Sequence, residues 1–428
     1  MPTMKAWQAS AYGAEGNPAD TIANLKLADV EIPSAGAGQI QVKVSLAAVN
    51  PIDWKLFSGG LHGICPCTFP YVPGFDILGE VTAVGEGAYL RQHARRASGR
   101  SCRSQNDSYE TTTWRAFSSV THSRTCTIEV FRGNALSSKD FLFFLLKKDV
   151  NDVLTRSPRF TRRLPGVSDF QVGDKVCADL GLVETCIDPK PAQGNAGAFA
   201  EFAVVPASLC ARVRGLDPAA AGLPLAGLTA YQALFTKAAR TFTGEPLGDL
   251  KANQKLLVLG GATSVGAFAI QLAKNAGARV ACTASAKTNS RGVAKTAACA
   301  ELGADVVLDY TKEEWSVALA GHEYDLVFDM IGKQEDWANA AKVLKKGGDF
   351  ISVANFAADP AANEANVFKN FLLKSDGGDL TDLVAMVEAG KLTVAVDSVV
   401  PFADVPKALA RSLAQANAGK IVVDMGAA

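Results

Sequence analysis

Three glycines pose the first chemical question of the chain. Residues 257–266 read LVLGGATSVG: an apolar run breaks at Gly260 and Gly261, and Gly266 comes six positions after the first. Glycines so placed allow a tight turn, close approach of backbone to a phosphate, and close packing of a helix on a strand. A helix starting here would also offer free N–H groups and a partial positive charge to a pyrophosphate. Thr263 stands where a clean dinucleotide fingerprint has glycine, but it and Ser264 can donate hydroxyls to phosphate oxygens. Gly260, Gly261, Ala262, Thr263, Ser264, Val265 and Gly266 form the candidate phosphate loop.

The residues beyond the loop bear on which dinucleotide it takes. For NAD, a carboxylate should close the second strand about 20 residues on, to accept from the ribose 2′-hydroxyl. Here that strand, ARVACTAS, runs into CTASAK with no carboxylate. Ser285, Lys287 and Arg291 come instead, offering donors and positive charge to a 2′-phosphate. Tyr310, ending DVVLDY, adds a hydroxyl. These residues favour NADPH.

The elements that must position these groups alternate. KLLVLG is fit for a buried parallel strand and VGAFAIQLAKNAG for a helix; GVAKTAACAELG is a second helix, with Gly303 past its end. DVVLDY, EEWSVALAG, YDLVFDMIG, DWANAAKVLKKGG and DFISVA continue the series. Such repeats imply right-handed crossovers and a doubly wound parallel sheet, with ligands at the carboxyl ends of its strands. The earlier chain has another texture. GQIQVKVSLAAVNPIDWKLFSGG alternates with period 2 before a Pro-led turn, and short strands with Gly and Asp turns come after it, marking a β-rich segment.

Composition sets the outer limits. The 428 residues, 48% apolar with zero formal net charge, suggest two or three domains and no global pull toward nucleic acid or membrane. The longest suspect run, FLFFLL, is too short for a membrane span, and MPTMKAWQAS carries no signal pattern. Nine cysteines without a secretory context read as thiols of a cytoplasmic protein, with CPC at 65–67 as plain loop thiols.

Charge is unevenly spread. Residues 88–166 hold 15 of the 43 Lys+Arg but 6 of the 43 Asp+Glu, and lack any sustained period. The segment reads as a disordered insertion, or as a retained intron: 79 residues are a whole number of codons, and LPG at its end can be encoded by a 3′ splice signal. Its flanks, GEVTAVGEG and VSDFQVGDKV, make a strand, a turn and a strand when joined. A basic arm for RNA is the alternative.

AAVNPIDWKLFSG (47–59), PYVPGFDILGEVTAVG (70–85), FQVGDKV (170–176), GAFAEFAVVP (197–206), LPLAGLTAYQAL (223–234), the 260–266 loop and GKIVV (419–423) together resemble the medium-chain dehydrogenase/reductases. The likeness is to their zinc-independent quinone oxidoreductase branch, zeta-crystallin-like and reticulon-interacting-protein-like. It covers nearly all the chain except 88–166. It implies an α/β protein: a GroES-like β-rich catalytic domain (1–206), a Rossmann NADPH-binding domain (207–390) and a return to the catalytic domain (391–428).

The zinc ligands of the related alcohol dehydrogenases are missing: Asn50, Phe75 and Ala226 stand at or near their places, so no metal is expected. Unaided hydride transfer suits quinones and α,β-unsaturated carbonyls such as 2-alkenals, and extends to enoyl thioesters. The resemblance puts Asn50, Lys55 and Tyr71 in the cleft as catalytic candidates. Asn50 would orient nicotinamide or donate to the substrate oxygen, Lys55 would stabilise an enolate or help place the cofactor, and Tyr71 would donate or stack. Asp53 and Asp76 would hold loops. Thr229, Asn417 and Lys420 would contact the cofactor. A homodimer is common in the family, and a non-catalytic NADPH-binding protein is the other functional class.

Overall fold

The computed structural model describes residues 1–13, 17–62, 65–86, 167–181, 197–215, 217–236, 246–289 and 292–426. The 88–166 segment, with its insertion, intron and RNA-arm readings, lies outside them, as does Arg291.

An antiparallel ribbon, β1 (Thr3–Gln8) with β2 (Lys26–Glu31), opens the chain. β3 (Gln39–Ala48) then shows the expected alternation, burying Ile40, Val42 and Val44 while Lys43 faces water. It pairs antiparallel with β4 (Asp76–Val84), which pairs with β5 (Lys175–Asp179). Past the last β4–β5 pair, Val81 N–H donates to Asp174 O and Gly173 N–H to Val81 O, both at 2.9 Å. The two flanks of the 88–166 segment are therefore direct strand neighbours, as joining them implies. β6 (Phe202–Pro206) pairs with β3, and β7 (Cys210–Arg212) with β5. Sheet membership thus carries this layer past residue 206 to Arg212, because a three-residue strand is too short to show a period.

Helices α1 (Pro18–Ala23) and α2 (Pro51–Phe57) pack beside this sheet, and α3 (Pro218–Ala221) and α4 (Pro224–Phe235) lead out of it. α4 is apolar and buried on nearly every side. It shares one core with Leu46 and Leu78 of the first sheet and Leu256 and Phe328 of the second. Burying a leucine fully is worth about 1.5–3 kcal/mol, so this helix firmly joins the two layers.

The second sheet is wholly parallel. Its strands are β8 (Lys255–Leu259), β9 (Arg279–Ala284), β10 (Val306–Asp309), β11 (Tyr324–Asp329), β12 (Leu344–Ser352) and β13 (Val367–Asn370), in the order β10-β9-β8-β11-β12-β13. Chain direction across the sheet reverses between β8 and β11, the place where such sheets bind ligands. α5 (Ser264–Asn275), α6 (Lys295–Glu301), α7 (Trp315–Ala318), α8 (Gln334–Ala340) and α9 (Gly377–Glu388) supply the helical alternation.

The chain then returns to the first sheet. β14 (Val396–Pro401) runs parallel to β15 (Lys420–Asp424), which pairs antiparallel with β3, and α10 (Val405–Leu413) lies between them in sequence. Among the described residues no helix is long and apolar enough to cross a membrane.

Candidate cofactor and catalytic site

The phosphate loop is built on backbone. Gly260 adopts φ +95°, a left-handed conformation that favours glycine. Its N–H donates to Thr283 Oγ1 (3.0 Å) and that of Gly261 to Thr283 O (2.9 Å), so β9 anchors the turn. A Cβ on Gly266 would lie 2.3 Å from Gly260 O, leaving no room for a side chain where α5 meets the loop. Thr263 caps α5: its Oγ1 accepts from Gly266 N–H (3.0 Å) and donates to Gly260 O (2.8 Å). That hydroxyl braces the loop itself. Ser264 and Val265 bring first-turn N–H groups, which a helix leaves without internal acceptors. Ala262, Thr263 and Ser264 face a cavity of about 330 Å³.

Ser285, Lys287 and Tyr310 gather at the carboxyl ends of β9 and β10, where Tyr310 N–H donates to Ala284 O (3.2 Å). Ser285 is buried, whereas Lys287 and Tyr310 are exposed. Lys295 is a cation that sequence pattern did not single out. It starts α6, lines the same cavity as Thr263, and donates its N–H to Lys287 O (3.1 Å). Its signal was the helix start just beyond Lys287 and Arg291.

The α2 end is built on buried charge. Asp53 Oδ2 accepts from Asn50 N–H (2.7 Å) at the helix start. The Asn50 side chain turns inward: Nδ2 donates to Asp76 Oδ2 (2.8 Å), and Oδ1 accepts from Lys420 Nζ (2.6 Å). Lys420 Nζ also donates to Asp76 Oδ2 (2.8 Å), and Asp76 Oδ1 accepts from Leu225 N–H (2.8 Å). All four side chains are at most 2% exposed. Both ends of the Asn50 amide are therefore engaged within the protein, an arrangement that differs from donation to a substrate oxygen. Lys420, turned inward past Gly222 by the pleat of β15, joins this network and also lines the cavity that Ala262, Thr263 and Ser264 face. Asn417 Nδ2 donates to Gly419 O (2.7 Å) and holds the turn before β15. Asp53 Oδ1 is buried without a partner among the described residues, and burial pushes its carboxyl well above the usual carboxylate range.

Beside α2 lies an aromatic wall. Tyr71 is fixed through backbone bonds with Ala9 (2.8 Å each way), and its ring centroid is 6.4 Å from that of Phe57. The Tyr71 hydroxyl makes no hydrogen bond with the described residues. Burial, with Cys67, Asp53 and Tyr12 nearby, pushes it well above its ordinary value, so it stays protonated at neutral pH. Lys55 reaches water with its ammonium 5.7 Å from the Trp54 ring centroid, and partial loss of hydration to the surrounding protein lowers its pKa. Tyr12 was not foreseen, since AYG carries no pattern. Its hydroxyl accepts from Cys67 N–H (2.6 Å) and lies 3.0 Å from His62 Nδ1. Thr229 is buried within α4, its Oγ1 donating to Leu225 O (2.7 Å).

Phe75 and Ala226 are core residues, and no group of three or more His, Cys, Asp or Glu is placed to hold a metal among the described residues. Cys67 is a free thiol, as the reading of CPC expects, whereas Cys65 is disulfide-bonded, which corrects that reading at Cys65. Pairing depends on approach in space, which sequence spacing does not reveal.

Comparison with known proteins bears on the class. The alcohol dehydrogenase GroES-like domain matches residues 36–117, and the zinc-binding dehydrogenase domain residues 302–423. The chain is 28% identical to the NADPH-dependent alkenal/one oxidoreductase, chloroplastic, of Arabidopsis thaliana, over 98% of this chain and 79% of that one. It is 31% identical to the NAD(P)H oxidoreductase RTN4IP1, mitochondrial, of Danio rerio, over 60% of this chain and 68% of the other. The fold is shared with the quinone oxidoreductase of Coxiella burnetii, at TM-score 0.65 and 21% identity over 99% and 100% of the two chains. The chain belongs to the medium-chain dehydrogenase/reductase superfamily of oxidoreductases, in its quinone-oxidoreductase-like branch.

Proposed function

We propose that the protein reduces quinones or α,β-unsaturated carbonyls (2-alkenals) with NADPH, and does so without a catalytic zinc. The observation that supports this best is that β9 itself ends without a carboxylate, with Ser285, Lys287, Tyr310 and Lys295 beside it, while Asp309, opposite Ala284 on β10, is engaged by Thr311 and Lys312. A reader of the 2′-hydroxyl needs a carboxylate there, whereas a 2′-phosphate needs these groups. The Arabidopsis relative's name carries the same cofactor and acceptor class.

NADPH fits the residues present. The loop at 260–266 would hold its pyrophosphate on glycine backbone and the first-turn N–H groups of α5. Ser285, Lys287, Arg291, Lys295 and Tyr310 would hold its 2′-phosphate, and Thr229 and Asn417 would shape the nicotinamide side. Once bound, it supplies the hydride. Lys420 and Asp76 keep the Asn50 amide and the start of α2 in one geometry. That fixes the walls against which a flat acceptor is oriented. Tyr71, protonated and with its hydroxyl uncommitted among the described residues, donates to the oxygen on which charge develops, and Lys55 adds positive charge at the cleft edge. At the zinc positions, Asn50 is engaged and Phe75 and Ala226 have no ligand atom.

The working protein is taken to be a cytoplasmic homodimer. Fractionation and light scattering test this, with a chloroplast address, as in the relative's name, as the alternative outcome. To test the reaction, the full chain is assayed by absorbance with NADPH or NADH. The acceptors are an ortho-quinone, a medium-chain 2-alkenal and an enoyl thioester. NADPH should exceed NADH by at least about tenfold in kcat/KM with one of the first two. Preference for NADH, or no turnover with any acceptor, contradicts the reading.

A further inference from the structure

Beneath the phosphate loop lie two thiols that the proposed reaction does not use. Cys282 sits on β9 and Cys299 on α6, both free and buried. A Cβ on Gly261 would lie 2.8 Å from Cys282 Sγ and 3.2 Å from Cys299 Sγ, so both sulfurs border the space that a side chain on Gly261 would fill. Each thiol acts on the other: the neighbouring sulfur holds Cys299 below the ordinary thiol value, and Cys299 together with burial pushes Cys282 above it. Cys299 also lines the cavity that the loop faces, which gives a small reagent a route to it. The other free thiols among the described residues differ: burial raises Cys67, Cys177 and Cys210, leaving them poor nucleophiles.

We infer that Cys282 and Cys299 are an oxidisable dithiol, a modification site whose disulfide state weakens binding at the phosphate loop above it. That the weakened ligand is NADPH rests on the function proposed above. The step balances with a quinone. The two thiols lose two protons and two electrons, one S–S bond forms, and the quinone becomes a hydroquinone. With diamide, the azo bond takes the same two electrons and protons. Drawing the sulfurs from contact into a bond moves β9 or α6 against Gly261. Its N–H is tied to Thr283 O, next to Cys282, so the movement reaches the loop.

The test treats the full chain with diamide in the absence of NADPH, traps remaining thiols, and maps linked peptides by mass. NADPH Kd is read by fluorescence titration before and after. A Cys282–Cys299 peptide lighter by two hydrogens is expected, with Kd raised about tenfold and restored by dithiothreitol. C282S should abolish the response, and C210S should keep it. A missing linked peptide, an unchanged Kd despite the link, or a full response in C282S overturns the inference. Absence of NADPH binding before any oxidation overturns the cofactor reading instead, and the linked peptide still decides the dithiol.

Discussion

The two ends of the site are held by opposite means. The phosphate loop is a backbone device: glycines with no room for a Cβ, one threonine cap, and a strand neighbour that accepts its N–H groups. The α2 end is a charge device: Asn50, Asp53, Asp76 and Lys420 meet in the interior, with Lys420 370 positions from Asn50. The difference teaches how each should fail. A backbone device fails when volume is added, and it loses ligand before it loses fold. A buried charge device fails when one partner is removed, because an uncompensated charge remains in the core.

Breaking the charge device should have the largest effect. Lys420→Met strands the Asp76 carboxylate and should destabilise the protein by roughly 3–5 kcal/mol in denaturant unfolding. Adding Asp76→Asn in the same chain should recover much of that loss. A single variant as stable as the parent would show that the pair carries no such weight.

Next comes the hydroxyl beside it. Tyr71→Phe should lower kcat roughly 100-fold or more while the NADPH Kd stays put. Burial keeps this hydroxyl protonated below pH 10, so the rate should not fall through its ionisation between pH 6 and 9. A fall across that window that Tyr71→Phe abolishes would contradict the assignment.

Gly266→Ala tests the backbone device. The new Cβ would collide with Gly260 O, and NADPH affinity should drop about 30-fold, about 2 kcal/mol, with a smaller fall in Tm than Lys420→Met causes. Unfolding in step with lost binding would erase the contrast between the two ends.

The smallest effect sharpens the comparison, because the parallel-sheet layer holds buried charge too. Desolvation, then the nearby Asp329 charge, raises the Asp336 carboxyl from 3.8 to about 7. Folding therefore favours its protonated form. That contribution is complete below about pH 4 and is lost as pH rises through 7. Asp336→Asn should raise Tm by about 2–4 °C at pH 8 and by less at pH 5. An equal gain at both values would sink the assignment.

The same contrast explains what the sequence made legible. The loop, the β8–α5 turn and the parallel sheet arise from spacings of a few residues, so glycines and apolar runs announce them. The β4–β5 pairing was legible too, since the flanks of 88–166 match once brought together. The charge network was not. The tie of Lys420 in GKIVV to Asn50 and Asp76 shows only when β15 is laid against β3, and Asn50 looks like a donor until its amide is seen engaged at both ends. Tyr12, Lys295 and the Cys282–Cys299 contact were hidden for the same reason. Each gains its meaning from a neighbour that lies far off in sequence or on the next element.

The central claim is that the loop and the donors around β9 select NADPH. Calorimetric titration of the full chain with NADPH and with NADH tests it directly, alongside Lys295→Ala. NADPH should bind about tenfold tighter or better, and Lys295→Ala should shrink that advantage while leaving NADH unchanged. NADH binding as tightly as NADPH, or a preference untouched by the loss of Lys295, would contradict the account.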